Sequence, residues 1–165
     1  MRRLRVAVVV WLAMLGLDFA LNAALFAGLY QDAGAFLLPP AELFRRIPLG
    51  YLAFFIVALS LVELAIRLDV RGTADGLRLG SAAGAAFAGT WSLGLYSIAT
   101  LSLPLALTFA LFWLMLLTLA GGVAAAGLAA GSLRGLALRV VAADVVCLIA
   151  VVALQSLGLV PTMRL

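Results

Sequence analysis

Five long apolar runs dominate this chain and limit what it can fold into. Each is close to or above the roughly 20 residues that an α-helix needs to cross a bilayer. The chain of 165 residues is 67% hydrophobic and 11% charged, whereas soluble domains are about one quarter charged. We therefore predict an all-α polytopic transmembrane bundle, a single domain over residues 1–165, with five spans at about 6–30, 48–66, 76–100, 104–130 and 136–158.

The spans are predicted to be helices because a helix satisfies its backbone hydrogen bonds internally, as lipid requires. No run alternates with the period of a barrel strand. An alternative with four spans would make the third and fourth runs a re-entrant pair. Both runs are long enough to cross the bilayer, so five spans are favoured.

The distribution of arginine predicts the orientation of the bundle. All eleven basic residues are Arg, and they sit at the ends of the apolar runs. With the N-terminus inside, the loops carry eight Arg on the cytoplasmic side and three outside, which favours N-in and C-out. The inner set is Arg2, Arg3, Arg5, Arg67, Arg71, Arg78, Arg134 and Arg139, and the outer set is Arg45, Arg46 and Arg164.

The first run begins like a signal peptide, with the basic start "MRRLR" before an apolar stretch. Its apolar character continues to Tyr30, which is too long for the core of a signal peptide, and no clear cleavage site follows. We expect an uncleaved first span.

Composition excludes several kinds of chemistry. The chain has no His, which excludes His-ligated haem and the usual His-containing zinc sites. It has no Lys for a Schiff base and a single Cys, Cys147, which cannot form an intramolecular disulfide. The net charge of +4 comes from Arg that flanks the spans, so no nucleic-acid partner is expected. No cofactor and no metal site is predicted.

The loop "QDAGAFLLPPAELFRRIP" is the longest and would lie outside. Its part "PPAELFRRI" suits a short helix in the membrane interface, with Phe44 toward lipid and Arg45 and Arg46 toward headgroups. A loop that docks on the bundle is an equally good interpretation.

Small residues recur at a spacing of four in the third and fourth runs. The third run has Gly80, Gly84 and Ala88, with Ser81, Ala85 and Gly89 beside them, and the fourth contains "AGGVAAAGLAAG". Such faces allow close approach of helix backbones in lipid. We predict that these two helices pack tightly together, with a homodimer contact as the alternative use of one face.

Three acidic residues fall within the spans: Asp18, Glu63 and Asp144. Asp18 would lie roughly 18 Å deep, near the midplane, and Asp144 roughly 10–15 Å deep. An unpaired carboxylate at such depth costs several kcal/mol, at least roughly 2.5. Glu63 is near a helix end and is predicted to form a structural ion pair with Arg67, four residues on.

Asp18 is the centre of the predicted site. Asn22 lies one turn further, and Trp91, Tyr96 and Ser97 of the third span fall at similar depths. We predict a ligand- or proton-binding site formed by Asp18, Asn22, Trp91, Tyr96 and Asp144. The alternative is that Asp18 and Asn22 are hydrogen-bonding groups that hold helices together. An aspartyl dyad of Asp18 and Asp144 is conceivable, but neither residue sits in a catalytic motif.

Leu17–Asp18, Leu29–Tyr30 and the stretch "SIATLSLPLALT" at 97–108 resemble a family of small bacterial predicted membrane proteins of unknown function. That family has Leu-Asp in the first helix and an Ala-Thr-Leu turn followed by Pro-Leu before the fourth. The resemblance covers roughly residues 11–125. It implies a multi-pass protein of the bacterial cytoplasmic (inner) membrane and brings no established activity.

Two functions remain open from the sequence. The first is a structural or accessory subunit of a larger membrane assembly, whose partners are the bilayer and other membrane subunits or a second copy of the chain. The second is a proton- or cation-linked carrier, or a small-ligand binder, that uses Asp18. An intramembrane enzyme has the least support, and no catalytic residue is assigned.

Overall fold

The computed structural model describes residues 1–31, 38 and 40–161, and these are all-helical, with no strand among them. The helices are α1 (Arg2–Ala20), a π-helical turn (Leu21–Leu25), α2 (Ala27–Gln31), α3 (Pro40–Arg67), α4 (Thr73–Ile98), α5 (Leu103–Ala129) and α6 (Leu133–Ser156). The prediction of an all-helical chain is confirmed.

Four stretches are long and apolar enough to cross a membrane. They are Arg2–Leu25, Glu42–Arg67, Leu103–Ala129 and Leu133–Ser156. Helix α4 corresponds to the third predicted span and has 26 residues, or about 39 Å at 1.5 Å per residue. It is not among the four, because its many glycine, serine and threonine residues lower its hydropathy.

Helix α1 is the centre of the bundle, since it contacts α3, α5 and α6. Its fully buried residues include Val6, Val10 and Met14, which pack with Val62 of α3 and Leu116 of α5. Helix α4 packs along α5 and has only slight contact with α3. The core therefore lies around α1 and α5, and α4 and α6 flank it.

Helices α4 and α5 meet through glycine, as predicted. Gly76, Gly80 and Gly84 are buried at a spacing of four on α4. A Cβ at Gly80 would lie 3.0 Å from the Leu117 carbonyl carbon, and one at Gly84 would lie 3.0 Å from the Leu114 Cα. The order of these contacts makes the two helices antiparallel. Gly89 lies outside this seam, because a Cβ there would have nothing within 4 Å.

Helix α3 begins well before its predicted start at residue 48. Residues 40–47, predicted to be an interfacial helix or a docked loop, form the first two turns of α3. Pro48 lies inside the helix without ending it. Proline has no N–H, so Pro48 leaves the Phe44 carbonyl oxygen without its helical hydrogen bond. Phe44 is exposed, so its carbonyl oxygen is accessible to other hydrogen-bond donors. Most of the preceding part of the predicted outer loop lies outside the described residues.

The ends of α1, α3 and α5 are joined at one end of the bundle. The Arg2 guanidinium donates to the carbonyl oxygens of Leu128 (2.9 Å) and Ala130 (2.5 Å) at the end of α5. Arg3 of α1 forms an ion pair with Glu63 of α3, with 3.1 Å between Nη1 and Oε2. These contacts place the N-terminus of α1 beside the C-termini of α3 and α5.

Candidate functional site

Asp18 and Asn22 form a hydrogen-bonded pair on α1. The Asn22 side-chain amide donates to Asp18 Oδ1 over 2.7 Å, and both side chains are half-buried. The spacing of four residues places the two groups one helical turn apart, where such pairs meet. This bond gives the Asp18 carboxyl a partner inside its own helix, whereas the alternative predicted from the sequence was hydrogen bonds between helices.

The Asp18 side of α1 faces α3. Trp11 lies seven residues before Asp18, on the same side of the helix, and its indole Nε1 donates to the Tyr51 carbonyl oxygen of α3 over 2.8 Å. The Trp11 ring also meets Phe55 edge-on, with 6.0 Å between ring centroids. The Tyr51 hydroxyl group lies within electrostatic range of the Asp18 carboxyl. The local environment of Asp18 is thus built by α1 and α3.

The π-helical turn Leu21–Leu25 begins three residues after Asp18 and includes Asn22. Its wider winding is fixed by the bond from Phe26 N–H to the Leu21 carbonyl oxygen, 2.8 Å. Gln155, near the end of α6, donates its side-chain amide to the Ala23 carbonyl oxygen over 3.1 Å. Because π-turns inside helices are frequent at functional sites, this turn marks the Asp18 region as more than an ordinary stretch of helix.

Asp144 lies on α6 and faces α1 at Gly16. A Cβ at residue 16 would overlap the Asp144 Oδ1 and Cγ atoms and would lie 3.1 Å from Asp144 Cβ. The missing side chain of Gly16 therefore makes the space that the Asp144 carboxyl occupies. Among the described residues this half-buried carboxyl has no hydrogen-bond or ion-pair partner.

Asp18 and Asp144 do not share a pocket. Asp144 contacts α1 at Gly16, and two residues further along an α-helix is a rotation of about 200°. Asp18 is consequently on the far side of α1 from Asp144. An aspartyl dyad of these two residues has no geometric basis in this structure.

Trp91 and Tyr96 are not brought to Asp18 either. Both lie on α4, which packs along α5 rather than along α1, and both are exposed. The Trp91 ring stacks on Phe87 with 6.1 Å between centroids. Ser97 bonds within its own helix, to the Gly94 carbonyl oxygen at 2.8 Å. These residues lie at depths similar to that of Asp18, but their helix α4 packs on α5 and not on α1.

The grooves of the described surface include two open ones, and neither of these is lined by Asp18 or Asp144. One, of about 670 Å³, follows the outer face of α4 and includes Phe87, Thr90, Trp91 and Gly94. The other, of about 340 Å³, lies at the loop between α3 and α4 and includes Asp69 and Arg71. Both are concave parts of the surface rather than enclosed cavities.

Glu63 forms ion pairs with two arginines at the end of the bundle that carries Arg2, Arg3 and Arg67, which we call the Arg-rich end. The predicted pair with Arg67 is present, with 3.3 Å between Nε and Oε1. The second oxygen of Glu63 accepts from Arg3 of α1 at 3.1 Å. This acid therefore joins α3 to α1, which is a structural role.

Four residues that contact Asp18, Asp144 or the helices around them are not part of the site predicted from the sequence. They are Trp11, Gly16, Tyr51 and Gln155. Trp11 lies seven residues before Asp18, so its shared face was visible in the spacing. Gly16 and Gln155 act across more than 120 residues of chain, and no local pattern joins them to their partners.

In the described part of the chain, no three acidic or Cys side chains come together as metal ligands. What Asp18 and Asn22 offer is a carboxyl and an amide, which can hold a proton or contribute oxygens to a cation. Comparison of the chain with protein-family models, with curated proteins and with solved structures finds no match. The resemblance through Leu17–Asp18 therefore stays a prediction.

Proposed function

We propose that this chain is a small integral membrane protein that acts as a structural or accessory subunit, through the outer faces of its bundle. The observation that carries the proposal is the contrast between its centre and its flanks. At the centre, the half-buried Asp18 carboxyl accepts a hydrogen bond from Asn22 of its own helix. On the flank, only 6% of the apolar window of α6 is buried, against 44% for the first span.

Five membrane crossings, N-in, belong to this proposal. Helix α4 runs antiparallel to α5 with Gly76 against Gly121 and Gly84 against Leu114. Since α5 is apolar enough to cross the bilayer, a helix that follows it over this length crosses the same depth. The joined ends of α1, α3 and α5 lie at the Arg-rich end, which the distribution of charge assigns to the cytoplasm. The bacterial inner membrane is the location we propose.

In-cell photo-crosslinking from α6 tests the accessory role. A photoreactive residue at Val146, which is 64% exposed, should give one discrete crosslinked protein species in native membranes. The matched control is Val140, on the same helix but only 8% exposed, which should give none. Identical species in repeated preparations would identify the other subunit or a second copy. If position 146 yields only lipid adducts, the accessory role is wrong.

A second candidate is a proton- or cation-linked carrier that uses Asp18. It is favoured by two observations: Asp18 lies three residues before the π-helical turn, and it is within electrostatic range of Tyr51. The Asp18→Asn variant separates the two functions. If Asp18 is a structural group, the free energy of unfolding of the variant should change by about 0.6 kcal/mol, the average for a side-chain hydrogen bond in a membrane protein.

The accompanying measurement is ion flux in proteoliposomes. Under the structural proposal, wild-type protein and Asp18→Asn should both match empty liposomes under an imposed proton or sodium gradient. Flux that is present in the wild type and lost in Asp18→Asn, with the fold intact by circular dichroism, would establish the carrier instead. Asn22→Ala provides a control, because it removes the partner and keeps the carboxyl.

A further inference from the structure

The arginines at the Arg-rich end fall into two groups. Most are engaged within the chain: Arg2 with carbonyl groups of α5, Arg3 and Arg67 with Glu63, Arg71 with Asp69 and Arg78 with Asp75. The contact with Arg71 also holds the pKa of the Asp69 carboxyl below its usual range. Arg5, Arg134 and Arg139 are exposed, and their side chains have no partner among the described residues.

Helices α1 and α6 run parallel, so their N-terminal ends lie at the same level. Gly16 faces Asp144, and further along Ala23 accepts from Gln155. In the other direction, Val9 and Ala13 pack with Val140. With about 128 residues between facing positions, Arg5 lies at the level of Leu133 and Arg134.

Arg5 and Arg134 also lie on the same side of the α1–α6 pair. The opposite side is filled by α5, where a Cβ at Gly127 would lie 2.9 Å from Val6 Cγ1 and 3.5 Å from both Leu133 Cδ2 and Leu136 Cδ2. At about 100° per residue, Arg5 and Arg134 both point away from α5. Arg139 is five residues beyond Arg134, which is a rotation of about 500°, or about 140° beyond one full turn. It therefore points to the side of α6 toward α5.

An apolar groove leads from these two arginines along the same side. Val8 and Leu12 follow Arg5 on α1, and Val141 and Val145 follow Arg134 on α6. Val8, Val141 and Val145 are 38%, 46% and 47% exposed. From Arg134 to Val145 the rise is about 16 Å, which is close to half of the roughly 30 Å hydrocarbon core of a bilayer. The groove therefore matches the depth of one leaflet.

We propose that Arg5 and Arg134 bind the phosphate-bearing headgroup of one anionic phospholipid, whose acyl chain lies in this groove. Two guanidinium groups can hold phosphate oxygens in a fixed geometry, and these two have no acidic partner to displace in the described part of the chain. The N-terminal ends of two adjacent parallel helices add positive potential at the same place. The site goes beyond the proposed function and depends only on the chain lying in a bilayer.

Native mass spectrometry of the purified full chain tests this site with phosphatidylglycerol as the anionic probe and phosphatidylcholine as the neutral one. The double variant Arg5→Gln/Arg134→Gln should bind phosphatidylglycerol on the order of tenfold more weakly, because basic groups near a membrane surface each contribute to anionic-lipid affinity. The control Arg78→Gln/Arg139→Gln removes the same charge from the same end. It should retain affinity within about twofold.

A second variant tests the groove without touching the arginines. Val141→Trp should weaken phosphatidylglycerol binding, while Val151→Ala, which alters a buried residue on another face of α6, should not. The proposal is overturned if both double variants lose affinity equally, since the charge would then act diffusely. It is also overturned if phosphatidylcholine binds as tightly as phosphatidylglycerol, or if inorganic phosphate binds as tightly as the lipid. Circular dichroism confirms folding of each variant.

Discussion

Gly80 of α4 and Gly16 of α1 both make room for another part of the chain, but what they admit differs. At Gly80 the neighbour is backbone, the carbonyl group of Leu117 and the Thr118 Cα. At Gly16 the neighbour is a side chain, the carboxyl group of Asp144. A backbone in a helix cannot move away alone, whereas a carboxyl group can rotate about its side-chain bonds.

This difference separates a fixed interface from an adjustable one. The α4–α5 seam depends on close packing along its length, from Gly76 to Gly84, and can change only if a whole helix shifts. The α1–α6 contact contains polar groups, Asp144 near its middle and Gln155 near its end, and the outer face of α6 is exposed. We expect substitutions to be costly in the seam and cheaper, but dependent on Asp144, at the α1–α6 contact.

The largest expected effect is that of Gly80→Ala. Its Cβ would lie 3.0 Å from both the Leu117 carbonyl carbon and the Thr118 Cα, so α4 and α5 must separate. We expect a loss of about 2 kcal/mol or more in the free energy of unfolding, as for other overpacked sites. Unfolding in mixed micelles, followed by circular dichroism, provides the measurement.

Gly94→Ala is the control for this substitution. It lies on the same helix, and a Cβ there would meet nothing within 4 Å. Alanine should be neutral at this position or stabilise the helix by up to about 1 kcal/mol, through its higher helix propensity. Equal losses from Gly80→Ala and Gly94→Ala would mean that the seam is not the fixed interface described above.

The second prediction concerns Gly16→Ala, with an expected loss of about 1 kcal/mol. The new methyl group must displace the Asp144 carboxyl, which can rotate toward the exposed face of α6. In an Asp144→Ala background most of this cost should disappear, because only the residue 144 Cβ, at 3.1 Å, remains close. A double-mutant cycle on the free energy of unfolding measures this coupling.

Additivity in that cycle would contradict the contact between Gly16 and Asp144. A useful comparison is Gly28→Ala, since a Cβ at residue 28 would have nothing within 4 Å. Gly28→Ala should show no coupling to Asp144→Ala. If it couples as strongly as Gly16→Ala, the coupling reflects general destabilisation of the bundle.

The same contrast explains what the sequence could and could not predict. The spacing of Gly80, Gly84 and Ala88 predicted the α4–α5 seam, because a repeat of four on neighbouring helices is a local and periodic signal, and the structure extends this seam to Gly76. Asp18 and Asn22 were predicted to share a site because they are four residues apart, but the bond between them within α1 was not predicted. Five spans were predicted from run length, and α4 is the one whose composition does not support the assignment by itself.

Long-range partners were beyond reach because depth does not specify direction around a helix. Asp18 and Asp144 were predicted at comparable depths. Asp18 projects from one side of α1, however, and Asp144 of α6 contacts the opposite side of α1. Trp91 was placed beside Asp18 by depth alone, but its helix packs on α5. The π-helical turn is a further case, since its link to Gln155 joins residues 132 positions apart.

The smallest expected effect distinguishes packing from hydrogen bonding within the seam itself. The Thr118 hydroxyl donates to the Leu114 carbonyl oxygen at 2.6 Å, which uses its only hydrogen. The contact of 3.1 Å between Ser81 Oγ and Thr118 Oγ1 therefore has Ser81 as the donor. Ser81→Ala should cost about 0.6 kcal/mol, the average for such bonds in membrane proteins.

Ser97→Ala is the matched control, because the Ser97 hydroxyl bonds only within α4, to the Gly94 carbonyl oxygen. The same unfolding assay should show a smaller change for Ser97→Ala than for Ser81→Ala. A loss at Ser81 as large as that of Gly80→Ala would show that the interhelical hydrogen bond, rather than backbone packing, holds the seam. The buried Ser92 hydroxyl, which has no partner within the described residues, argues for packing, since the seam tolerates a polar group that it does not bond.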